Sequence, residues 1–166
     1  MMWPMQSRWL GAGRWLLWGM GALLGCATRG NIPNTKVPDT RENREIIDVC
    51  ERYRKALEAR DTATLLALAS PNYFEDSGTP KADDDYGYEG LKKVISDRMK
   101  MLKSVRYEVE YRKVTRTDRR AEVEIYIDAS FQIASNNQAD QYKRVTEYNR
   151  LELENDGLRW MFTSGM

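Results

Sequence analysis

Histidine is absent from all 166 residues. That removes the commonest general base and the commonest metal ligand. Cysteine is nearly absent as well. Only Cys26 and Cys50 occur, too few for a thiolate zinc cluster. Net charge is small: 26 basic side chains against 25 acidic ones give +1, which argues against nucleic acid as the main partner. A long apolar run is missing too. The stretch Trp15 to Leu24 is the longest, and it is about half of the roughly 20 residues that a membrane-spanning helix needs. No internal repeat is visible.

Acidic residues are absent before Asp39, whereas Arg8 and Arg14 precede or open the apolar stretch. A basic start, a short apolar core and small residues after it are the marks of a secretory signal. The run Leu23-Leu24-Gly25-Cys26 resembles a bacterial lipobox. The resemblance implies that residues 1–25 are a lipoprotein signal peptide and that Cys26 is lipidated. Diacylglycerol would sit on its thiol and a further acyl chain, such as palmitate, on its new amino group. Several chains make such an anchor stable, where a single chain is marginal. Ala27 follows the cysteine instead of Asp, which in Gram-negative lipoproteins implies the outer membrane, facing the periplasm. The expectation is a cell-envelope protein held to the membrane through Cys26.

Without residues 1–25 the 26 basic side chains lose two and the formal charge turns to −1. Residues 26–43 are polar, carry Pro33 and Pro38, and have neither helical nor strand period. They read as the lipidated cysteine and a flexible tether, with a root-mean-square span of about 23 Å as a coil. Residues 44–166 are left for one domain with one core. Cys50 would then be the sole thiol, on the apolar face of a helix, and reads as a small buried hydrophobe.

Within that domain the spacing predicts a helix over 44–60, from the stripe Ile46, Ile47, Cys50, Tyr53 and Leu57. Asp61 fits the N-cap of a short second helix over 62–69. Tyr73-Phe74 reads as a short strand, residues 75–88 as a polar loop, and residues 89–102 as a third helix. The apolar period then switches to two. Val105, Tyr107, Val109 and Tyr111 alternate with charged residues, and Ala121 to Ile133 alternate for thirteen positions. A flat strand of that length, about 45 Å, exceeds a small domain. A bend or bulge is therefore expected near Ala129-Ser130. Residues 142–154 read as a strand of less regular alternation. Asn155-Asp156-Gly157 is a hairpin turn, and residues 158–163 close the sheet.

Helices first and a meander last make an α+β fold. The run Tyr53-Arg54-Lys55-Ala56-Leu57-Glu58-Ala59-Arg60-Asp61 followed by Leu65-Leu66-Ala67-Leu68, then Tyr73, Glu89-Gly90-Leu91 and Gly157-Leu158-Arg159-Trp160-Met161-Phe162, resembles the nuclear transport factor 2-like superfamily. That group includes the polyketide-cyclase-like (SnoaL-like) and ketosteroid-isomerase-like domains. The resemblance implies N-terminal helices packed on a curved antiparallel sheet, forming a cone with a pocket inside. The superfamily hosts enzymes, ligand binders and dimerisation modules, so the fold does not choose among them.

Its isomerases and dehydratases use a pocket carboxylate helped by Tyr or a second acid. The analogous residues here are Asp128, Glu147 or Asp76, with Tyr53, Tyr73 or Tyr148 as donors. Asp128 alternates with Ile127 and Ala129 and should face away from the apolar side, so no carboxylate is expected inside the cone. The aromatics Tyr53, Tyr73 and Trp160 are candidates to line a pocket for an apolar ligand. Tyr107, Tyr111 and their charged neighbours suggest a partly exposed sheet face, which in the superfamily often mediates homodimers. Asp83-Asp84-Asp85 lacks the spacing of a calcium loop and reads as a solvated loop. No metal or cofactor is expected. The leading expectation is a non-catalytic envelope protein binding a small apolar ligand or a protein partner. The alternatives are a lyase- or isomerase-type enzyme using a pocket carboxylate and Tyr, and a dimerisation module.

Overall fold

The computed structural model describes residues 30–76, 84–135 and 139–166. The stretch expected as a signal peptide and Cys26, and Asp83 with the residues from 77 before it, lie outside the described residues. Helix α1 spans Arg41–Ala59. It starts three residues before the periodicity predicts because Thr40 caps it, its side chain accepting from the Asn43 amide at 3.1 Å. It ends at Arg60, whose φ of 56° is left-handed. Its apolar stripe buries Ile46, Ile47, Cys50 and Tyr53. Helix α2, Thr62–Leu68, opens at Asp61, which accepts from the Thr64 amide at 3.0 Å as expected of a cap. Helix α3 spans Tyr88–Met101.

Two short strands, β1 (Phe74–Glu75) and β2 (Tyr86–Gly87), pair with each other. The main sheet is an antiparallel meander of β3 (Leu102–Thr117), β4 (Arg120–Ile133), β5 (Gln141–Asn155) and β6 (Trp160–Ser164), in that order. The helices pack on its inner face, so the α+β class and the helix-on-curved-sheet arrangement hold. Glu58 on α1 accepts from the Tyr107 amide at 3.0 Å, and Glu51 accepts from the Tyr111 hydroxyl at 2.8 Å. At the far edge the Ser70 amide donates to the Phe162 carbonyl at 2.8 Å. Phe162 is fully buried and its ring meets that of Tyr53 at 5.2 Å.

Three details differ from the expectations. No bulge interrupts β4 near Ala129-Ser130: β4 keeps an unbroken register with β5 from Arg120 to Ile133. The extra residues fall at Lys103 and Arg112 on β3 and at Thr163 on β6. Both are edge strands, where a bulge disturbs one ladder instead of two. Next, Tyr107 and Tyr111 do not sit on an exposed face. Both are buried under α1, because the apolar phase of β3 points inward along with them. The exposed aromatic face is on the other side, where Tyr126 and Tyr148 meet at 5.0 Å and Tyr148 is 70% exposed. Finally, the stretch expected as flexible tether is folded from Gly30 onward. Asn31 bridges Pro38, the Lys36 amide donates to the Tyr111 carbonyl at 2.9 Å, and Val37 is fully buried. Val37, with Ile32 partly buried against the same core, carries that docking.

Candidate functional site

Between the helices and the inner face of the sheet lies a cavity of about 430 Å³, within the range of small-molecule sites. Its floor is the alternating face of β4: Ile127, Ala129, Phe131 and Ile133. Period two puts these on one side and Asp128 on the other. Helices α1 and α3 supply Tyr53, Leu57, Ile95 and Arg98, and β3 supplies Tyr107. Strand β5 supplies Lys143, Val145, Glu147 and Asn149, and the rim is completed by Gly165 and Met166.

A carboxylate therefore does reach the cavity, contrary to expectation. Glu147 stands opposite Ile127 in the β4–β5 register and is the only acidic side chain among the described lining residues. Its charge is one cause that lifts the Tyr107 phenol, whose pKa is pushed up to about 12, chiefly by burial. Tyr53 lies well above the usual phenol range, again chiefly through burial and then through its neighbour Tyr107. The two rings meet edge to face at 6.2 Å. Both phenols thus stay protonated at ordinary pH and can donate to a substrate oxygen.

The other named candidates go elsewhere. Asp128 is on the outer face in a two-pronged ion pair with Arg144, at 2.9 and 2.6 Å. That pairing holds its carboxyl below the usual range. Asp76 borders a separate, polar groove with Glu75 and Arg120. Tyr148 is exposed on the outer face beneath Arg112, 5.2 Å away. Of the three aromatics expected to line a pocket, Tyr53 lines it. Tyr73 sits behind the wall, donating to Glu75 and accepting from the Met166 amide at 3.2 Å. Trp160 is buried on β6, outside the lining. Arg98, Lys143 and Asn149 were not singled out from sequence, and Tyr107 was read there as part of an exposed sheet face. The signal for Lys143 and Asn149 was the uneven alternation of β5. Its inner positions run Lys143, Val145, Glu147, Asn149, Leu151, Leu153, polar over the cavity and apolar over the core. Among the described residues no three His, Cys, Asp or Glu side chains come together as a metal site.

No protein-family model matches the sequence, and no curated protein matches it. Solved structures do. A candidate dehydratase of the NTF2-like family from Streptomyces avermitilis matches with a TM-score of 0.59 at 14% identity, over 74% of this chain and 92% of that one. A candidate scytalone dehydratase from Novosphingobium aromaticivorans matches with a TM-score of 0.61 at 15% identity, over 75% and 80%. The fold is that of the nuclear transport factor 2-like proteins. A type 2 hexachlorocyclohexane dehydrochlorinase shares it too, with a TM-score of 0.60 at 12% identity, over 75% and 82%. At these identities the likeness is one of fold. It nevertheless corrects the leading expectation of a non-catalytic envelope protein. These NTF2-like neighbours are named for enzymes, and the absence of a cavity carboxylate, which had supported that expectation, does not hold.

Proposed function

We propose that the protein is a lyase- or isomerase-type enzyme acting on a carbon acid in the cavity. Glu147 takes a proton from the carbon beside a carbonyl. The C–H electron pair becomes a new carbon–carbon double bond, and the carbonyl π pair moves onto the oxygen. Tyr53 and Tyr107 donate to that oxygen as its charge grows, the kind of fixed donor that favours such a transition state. Return of the proton to another carbon completes an isomerisation; loss of a leaving group from the next carbon completes an elimination. The observation that carries this is Glu147, a lone carboxylate on a largely apolar wall, close enough to Tyr107 for its charge to raise the phenol. Proton NMR in deuterated water, on a panel of cyclic ketones, tests the first step. The wild-type protein should speed loss of the signal beside the carbonyl, and Glu147→Gln should slow it by about 10²–10⁴-fold, the usual weight of a general base. Equal exchange by both proteins overturns the proposal.

The finer placement is also a proposal: a lipid on Cys26 anchors the enzyme in the cell envelope. The run Leu23-Leu24-Gly25-Cys26 supports it. Palmitate labelling in cells, lost on Cys26→Ser, is the check.

A further inference from the structure

The charges on the cavity wall do not balance. Arg98 and Lys143 line it, against Glu147 as the single described acid. Three nearby cations that turn away from the cavity have acidic partners. On α3, Lys93 pairs with Asp97 at 2.8 Å; on β5, Arg144 pairs with Asp128; on β3, Lys103 pairs with Asp140 at 2.7 Å. Among the described residues no carboxylate forms an ion pair or hydrogen bond with Arg98 or Lys143. Arg98 instead stands near the phenols of Tyr53 and Tyr86, and its charge tends to lower both.

Resting on the enzymatic reading of this cavity, we propose that its substrate is a monocarboxylate with an apolar, ring-sized body, held by Arg98 and Lys143. A concave wall with excess positive charge concentrates anions. With one negative charge added, the two cations are matched by Glu147 and the substrate. A neutral molecule leaves the imbalance, a cation deepens it, and a dianion reverses it. The layout also gives an orientation. Lys143 and Glu147 lie four residues apart on the same face of β5, so their Cα atoms are about 13 Å apart. The floor between them is Val145, Ala129 and Phe131. The substrate carboxylate points to Lys143 and Arg98, the apolar body covers that floor, and the reacting carbon faces Glu147. Arg98 offers the planar fork that suits a carboxylate and Lys143 a mobile single charge.

The probes are 2-naphthoate and its uncharged isostere 2-naphthamide, titrated into the full-length protein at low salt and followed by ligand-observed NMR. The acid should bind about tenfold more tightly than the amide, the weight of one hydrogen bond to a charged group. In the double variant Arg98→Gln/Lys143→Gln that ratio should fall toward one. Lys100→Gln, exposed and off the cavity, should keep the ratio, and Glu147→Gln should raise it by removing a repelling charge. A ratio of one in the wild type, failure of both probes to bind, or a preference that survives in the double variant overturns the proposal. Preference for the acid with no Glu147-dependent proton exchange would sink the enzymatic reading and leave the anion site standing.

Discussion

At the scale of single residues, burial decides what each phenol can do. Tyr53, Tyr73, Tyr107 and Tyr111 are all raised, each first by burial. For a phenol the charged form is the anion, so a raised value means that the fold favours the neutral form. This stabilisation is complete below the unfolded phenol's value near 10. It drains away as pH rises from there through the folded value, about 12 for Tyr107. The loss from Tyr107 alone is on the order of 3 kcal/mol. Alkaline unfolding should therefore begin above pH 10, with part of the phenolate absorbance appearing only as the helical circular dichroism disappears. Tyr107→Phe, which carries no ionisable group, should narrow the gap in melting temperature between pH 8 and pH 11. An unchanged gap would mean that Tyr107 titrates freely in the folded protein. Cys50 follows the same logic: burial pushes its thiol up, which agrees with its reading as a buried hydrophobe.

At the scale of elements, the end of β6 shows how a cavity wall is finished with backbone. Gly165 has a φ of 84°, and a Cβ built there would lie 2.1 Å from the Arg150 carbonyl oxygen. Its amide donates to Glu75 at 2.9 Å, and Glu75 also accepts from Tyr73. Both the conformation and the space require glycine. Gly165→Ala should cost more than about 1 kcal/mol and should weaken 2-naphthoate binding by lifting the last residues off the cavity rim. Thermal melts and the NMR titration together check it. A variant with wild-type stability would show that β6 can shift at no cost.

The element scale is also where sequence reading succeeded and failed. Helices α1 and α2, their break at Arg60-Asp61, the switch to period two after α3 and the inward face of β4 were all legible, because each repeats one signal several times. Glu147 was named as a candidate acid but not placed. Period two fixes which residues share a face, but only the register against β4 shows which of them stand over the cavity and which over the core. The outward place of Asp128 was legible because seven apolar residues on β4, from Ala121 to Ile133, state the phase. The folded segment at 30–40 was illegible because its only core residue is Val37, and one residue has no period. The bulges at Lys103, Arg112 and Thr163 leave no mark, since edge strands tolerate an extra residue of any kind.

At the scale of the whole molecule, the chain divides one small domain into a packed half and a hollow half. The core gathers where α1 crosses the β5–β6 end, around Phe162, Leu151 and Leu153. The other half opens beneath α3. The same β5 runs through both, and its polar inner residues fall in the hollow part. That division makes the site separable from stability. Lys143 and Glu147 are exposed on the inner wall, so substitutions there should change binding or turnover while the melting temperature holds.

The docking of residues 31–38 against β3 bears on where such a protein would work. Three residues separate Cys26 from Gly30, a reach of at most about 14 Å for an extended chain. A lipid on Cys26 would thus hold the domain on a short leash, grazing the headgroups instead of roaming the aqueous space. Encounter with substrate would become a search in two dimensions. Molecules with an apolar body and one negative charge collect in that same layer, head outward and body inward.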